Sequence, residues 1–85
     1  MKAEVIKYIR KALELTQEQF ADLINVSLLT VSRYENGVQK PSDDTEKRMR
    51  AVLNLSDTEI AEIEQFMLDE KQRKLKDMIR TRVGL

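Results

Sequence analysis

The sequence predicts an all-α domain of five helices, the last of them long. Three observations lead there. Only two Gly and one Pro occur in 85 residues, so helix-breaking residues are scarce. Apolar side chains recur three and four residues apart in the longer segments, the period of a single helix face. Finally, Thr16, Ser27, Ser42 and Ser56 each stand just ahead of such a segment, where a hydroxyl can take an unpaired backbone N–H.

The first helix is expected from about Ala3 to Leu13, with Val5, Ile9, Ala12 and Leu13 on its inner side. Thr16 followed by Gln19 reads as a capping box. The second helix, about residues 17–24, then carries Phe20, Ala21 and Ile24 on one stripe. Asn25 sits where that helix must stop, because Asn tolerates the left-handed conformation of a tight turn. Val26 plugs the turn and Ser27 caps the third helix, about 28–36. Val31 and Tyr34 face back onto the second helix. Gly37 supplies a left-handed C-cap after Asn36, and Pro41 blocks continuation. The fourth helix starts at Ser42, places Asp43 and Asp44 at its positive end, and runs to about Leu53 with Met49, Val52 and Leu53 inward. After the link Asn54–Leu55, Ser56 and Glu59 form a second capping box. From Asp57 to about Arg82 no Gly or Pro intervenes, which allows one helix of roughly 38 Å. Ile60, Ile63, Met67, Leu75 and Met78 form its stripe, interrupted by Lys71 and Lys74. Residues 1–55 are expected to form one domain, with residues 56–85 a C-terminal helix that serves dimerisation.

Composition narrows the function. Neither Cys nor His is present, which removes the usual N/S metal sites and thiol or imidazole chemistry. A chain this short buries only ~60–65% of its unfolded surface, leaving little room for a concave catalytic site. No nucleophile–base constellation or glycine-rich phosphate loop is present. An enzyme is not expected, nor a cofactor or small-molecule ligand. The absence of an 18-residue apolar run or a signal-peptide pattern points to a soluble, cytoplasmic protein without membrane contact.

The segment 16–41, TQEQFADLINVSLLTVSRYENGVQKP, carries the functional signal. Two short helices meet at a three-residue turn, and the second leaves Leu28, Leu29, Thr30, Ser32 and Arg33 on its outer face. This wording resembles the helix-turn-helix of the lambda-repressor-like, or Xre, family of DNA-binding regulators, over residues 4–55. Three features depart from the family pattern. Asn25 stands where Gly is usual, Leu28 and Leu29 where polar residues are usual, and the chain after residue 56 lies outside the resemblance. The resemblance implies that the third helix enters the major groove of double-stranded DNA. Arg33 would then reach a base edge, and its planar fork suits guanine O6 and N7. Thr30 and Ser32 would offer hydroxyls to bases or phosphates. Gln17 would hold a phosphate at the start of the second helix, with Asn36 and Lys40 as further phosphate contacts. It also implies that Arg10 and Glu35 pair across the first and third helices as a structural pair. For Leu28 and Leu29 three placements stand open: thymine methyls, a protein partner, or core through a slight rotation of the helix.

Net charge is zero, and residues 1–40 hold six Lys/Arg against five Asp/Glu. Phosphate contacts should therefore be few, and non-specific affinity modest. The fifth helix segregates its charge. Residues 57–70 carry six acids and no base, whereas residues 71–82 carry six bases and one acid. Two such helices set antiparallel would match acid to base, which points to a homodimer centred near Glu70. Two functions follow from this reading. One is a sequence-specific transcriptional repressor, of the phage or mobile-element kind, that binds a two-fold operator as a homodimer. The alternative is an antitoxin or other interaction module that grips a partner protein and autoregulates through DNA.

Overall fold

Every helix after the first begins on a hydroxyl side chain. The hydroxyls of Thr16, Ser27, Ser42 and Ser56 accept from the backbone N–H three residues on, and Thr16–Gln19 and Ser56–Glu59 close complete capping boxes. The computed structural model describes all 85 residues. It contains five helices and no strand: α1 (Ala3–Ala12), α2 (Gln17–Ile24), α3 (Leu28–Glu35), α4 (Asp43–Leu53) and α5 (Asp57–Arg82). The all-α class read from the sequence is thus the observed one.

The five helix ends share one device. Glu14, Asn25, Gly37, Asn54 and Gly84 all adopt positive φ. In each case the next residue donates its N–H back across the last turn: Leu15 to Arg10, Val26 to Ala21, Val38 to Arg33, Leu55 to Arg50 and Leu85 to Arg80. This is the Schellman arrangement, which satisfies carbonyls left unpaired at a helix C-terminus. The residue after the left-handed position is apolar every time. Leu15, Val26 and Leu55 use that placement to pack against the core.

The core consists of Val5, Ile6 and Ile9 from α1, Phe20, Ala21 and Ile24 from α2, Val31 and Tyr34 from α3, Met49 from α4 and Ile60 from α5. No polar side chain is buried among them, so cohesion here comes from apolar burial, about 1.5–3 kcal/mol for each large side chain. Three inward expectations need correction. Ala12 and Leu13 are exposed, and Ile6 takes the core position instead. The reason is that α1 ends beside an open apolar hollow, lined by Tyr8, Leu53, Leu55 and Ile63 as well, which leaves their outer surfaces wet. Val52 is exposed too. Helical residues turn 100° each, so Leu53, four after Met49, lies closer to Met49's direction than Val52 does.

Only the first part of α5 touches the body. Ile60 is buried, while Ile63 and Met67 are half-buried against the core. Phe66 meets Tyr8 of α1 at 6.2 Å between ring centroids, tilted by 52°. Residues 71–85 are all exposed. The molecule measures 49 × 26 × 22 Å, and a helix of about 39 Å accounts for the long dimension: the second half of α5 projects as an arm. No helix is long and apolar enough to cross a membrane.

Candidate nucleic-acid interface

The interface is built from the turn between α2 and α3. Asn25 takes φ 58° and ψ 51°, the left-handed conformation, which turns the chain through Val26 to Ser27. The Ser27 hydroxyl accepts from the Thr30 N–H at 3.1 Å and also meets the Thr30 hydroxyl at 2.8 Å. Val31 and Tyr34 are buried on the inner side of α3. With that side fixed, Leu28 (48% exposed), Leu29 (57% exposed) and Arg33 lie on the outer side, and Thr30 and Ser32 lie half-buried at its margins. Of the three placements open for Leu28 and Leu29, core burial is therefore removed. Two large apolar side chains at the head of α3 face outward.

Two devices hold α3 at its angle. Arg10 of α1 grips Glu35 with two charge-assisted hydrogen bonds, Nε to Oε2 at 2.7 Å and Nη2 to Oε1 at 2.8 Å. Its remaining Nη1 donates to the Leu15 carbonyl at 3.0 Å. A planar fork satisfied on both edges fixes direction as well as distance. Gln17 joins the same cluster, its Nε2 donating to Glu35 Oε1 at 3.4 Å. Burial would push the Glu35 carboxyl up. The hydrogen bonds from Arg10 and Gln17, with the positive charges of Arg10 and Lys7, outweigh burial and hold Glu35 below its ordinary range. Arg10 is correspondingly raised, first by its hydrogen bond to Glu35.

The second device involves a residue that the sequence did not single out. Arg48 of α4 donates from Nε to the Ile24 carbonyl at 3.1 Å and from Nη2 to the Asn25 carbonyl at 3.4 Å. A cation here suits the negative end of α2 and bolts the turn to α4. No spacing rule connects residue 48 with residues 24 and 25, since the contact exists only after tertiary folding. In the sequence Arg48 is one of many basic residues.

The remaining expected contacts are distributed around this face. Gln17 is half-buried at the start of α2 and tied to Glu35. Asn36 and Lys40 are exposed on the loop after α3, and the Asn36 amide reaches the Ser32 hydroxyl at 3.5 Å. Of the five residues expected on the dimer stripe, Ile60 is covered by the chain's own core, Ile63 and Met67 are partly covered, and Leu75 and Met78 stand exposed on the arm.

A family model described as helix-turn-helix matches residues 6–62. No curated protein and no solved structure matches the chain.

Proposed function

Because the chain belongs to the Xre, or lambda-repressor-like, helix-turn-helix family of DNA-binding regulators, we propose that it is a sequence-specific repressor that reads a two-fold operator as a homodimer. The single observation carrying this reading is the division of α3: Val31 and Tyr34 are buried against α1 and α2, while Leu28, Leu29 and Arg33 are exposed. A helix held by one side and bare on the other fits the major groove, whose width admits it.

In this reading Arg33 donates both prongs to a guanine, worth about 1–3 kcal/mol of discrimination. Leu28 and Leu29 cover thymine methyls, which offsets the cost of their exposure in the free protein. Thr30 and Ser32 supply hydroxyls at the edge of the groove. Gln17, Asn36 and Lys40 hold phosphates and set the register. The Arg10–Glu35 pair keeps α3 at its reading angle. Dimerisation through α5 presents two such heads to half-sites about one helical turn apart, ~34–36 Å along one face of the duplex. Occupancy of that operator excludes polymerase.

A second reading, an antitoxin whose arm grips a partner protein, is favoured by one observation: Leu75, Met78, Ile79 and Val83 are all exposed at the end of α5. Selection of bound duplexes from a random pool, run with the natural chain and with Arg33→Ala, tests the base reading on which the repressor depends. The repressor reading expects an inverted repeat whose guanine preference disappears in the variant. Recovery of no consensus with the natural chain would contradict it and favour the interaction module.

A further inference from the structure

Beside the stripe that reaches the core, and sharing Leu75 with it, α5 carries an exposed apolar flank. Leu68, Leu75 and Ile79 are 49%, 48% and 60% exposed. At 100° per residue they fall within an arc of roughly 40°, turned some 60–100° from Ile60 around the helix axis. They therefore point away from the core side of α5, with Leu75 at the border of the groove that Tyr8, Phe66 and Met67 line. Leu68 and Leu75 are one heptad apart, the spacing of a helix–helix seam. Beside Leu68, a cleft of about 160 Å³ opens between the start of α1 and α5, with Val5, Glu64 and Lys71 among its lining residues.

We infer that this flank is covered by the same flank of a second copy of the chain, with the two α5 helices antiparallel about an axis at Asp69–Glu70. This deepens the dimer reading above and rests on it. Charge complementarity selects the occupant and the direction. The half of α5 before residue 71 has six acids and no base, and residues 71–82 have six bases and one acid. An antiparallel pair apposes the two halves, whereas a parallel pair sets acid on acid and base on base. Knob-into-hole layering then places Leu68 against Lys71 of the second copy and Leu75 against its Glu64. The second copy's Leu75 enters the cleft beside Val5 and Leu68. Glu64 and Lys71 of opposite copies become diagonal neighbours, and the two-fold axis repeats every contact.

Sedimentation equilibrium of the full chain tests this, with circular dichroism confirming that each variant keeps its helices. The natural chain should sediment as a dimer, and Leu75→Glu should be a folded monomer, since Leu75 is exposed and lies outside the core cluster. Glu64→Lys and Lys71→Glu should each weaken the dimer by about tenfold or more, because each places two like-charge contacts across the axis, and the double exchange should restore it. A dimer that ignores Leu75→Glu and both charge changes but dissociates with Phe66→Glu would overturn the inferred face while leaving dimerisation intact. A natural chain that stays monomeric at tens of micromolar, an order typical of weak association, would overturn the inference and the dimer reading together.

Discussion

At the scale of single residues, Glu35 does the most to fix the reading head, and its environment makes a testable statement about pH. In the natural chain its carboxyl is held below the ordinary range by Arg10 and Gln17 despite burial. A group depressed in the folded state contributes stability above its unfolded pKa and loses it as pH falls through the folded value. Chemical denaturation should therefore show stability declining as pH drops below the usual carboxylate range. Arg10→Met removes the main counterweight to burial and should move the carboxyl back up from its lowered position. At neutral pH the variant should lose about 1–3 kcal/mol, the cost of leaving a partly buried carboxylate without its charged partner, and its deficit against the natural chain should shrink on acidification. A loss that is equal at all pH values would contradict the assignment. Arg33 offers the opposite case. It is exposed, so Arg33→Ala should leave the melting temperature unchanged while cutting specific DNA affinity by about 1–3 kcal/mol.

At the scale of elements, caps decide where helices stop and start. Ser27→Ala removes the acceptor for the Thr30 N–H and should cost about 1 kcal/mol, read from the midpoint of a urea titration. Glu14 holds φ 57° without glycine's freedom. Glu14→Gly should stabilise by about 0.5–1 kcal/mol, because the strain relieved exceeds the added chain entropy. These elements also show what was legible in the sequence. Thr16, Ser27, Ser42 and Ser56 announced the starts of their helices, and Asn25 and Gly37 announced left-handed ends, because those residue types have local reasons to be there. Glu14 gave no such signal, since nothing in a glutamate suggests positive φ; its conformation follows from Leu15 returning to the core. Ala12, Leu13 and Val52 fit an inward period, yet period alone does not say where the neighbouring helix ends. Arg48 was hidden because its bonds to Ile24 and Asn25 join α4 to the turn after α2. On the outer face of α3 the sequence carried further. Once Val31 and Tyr34 are assigned inward, helical geometry leaves Leu29 and Arg33 little choice, whereas Leu28, three residues before Val31, is placed outward only by the fold.

At the scale of the whole molecule, two separated jobs lie on one short chain. The body formed by α1–α4 and the first part of α5 presents α3, and the projecting arm carries segregated charge. A net charge of zero implies that DNA affinity depends on few neutralised phosphates. A plot of log affinity against log salt, over about 50–200 mM, should have a slope no steeper than about −5 for the dimer. A slope near −10 would mean a phosphate footprint much larger than Lys40 and its neighbours provide. Ile60 contributes to the core of the body, so cutting the chain at Leu55 should destabilise the fold as well as remove the arm; thermal melts of the truncated chain would reveal this as a lowered transition.

The most direct test of the central claim, that the outer face of α3 enters a duplex while its inner face stays locked, is an amide NMR titration with the selected operator. The account predicts that the largest shifts fall on Ser27–Asn36 and on Gln17, with Val5, Phe20 and Ile24 unmoved. Shifts confined to α5, or an α3 that stays silent at saturating duplex, would contradict it.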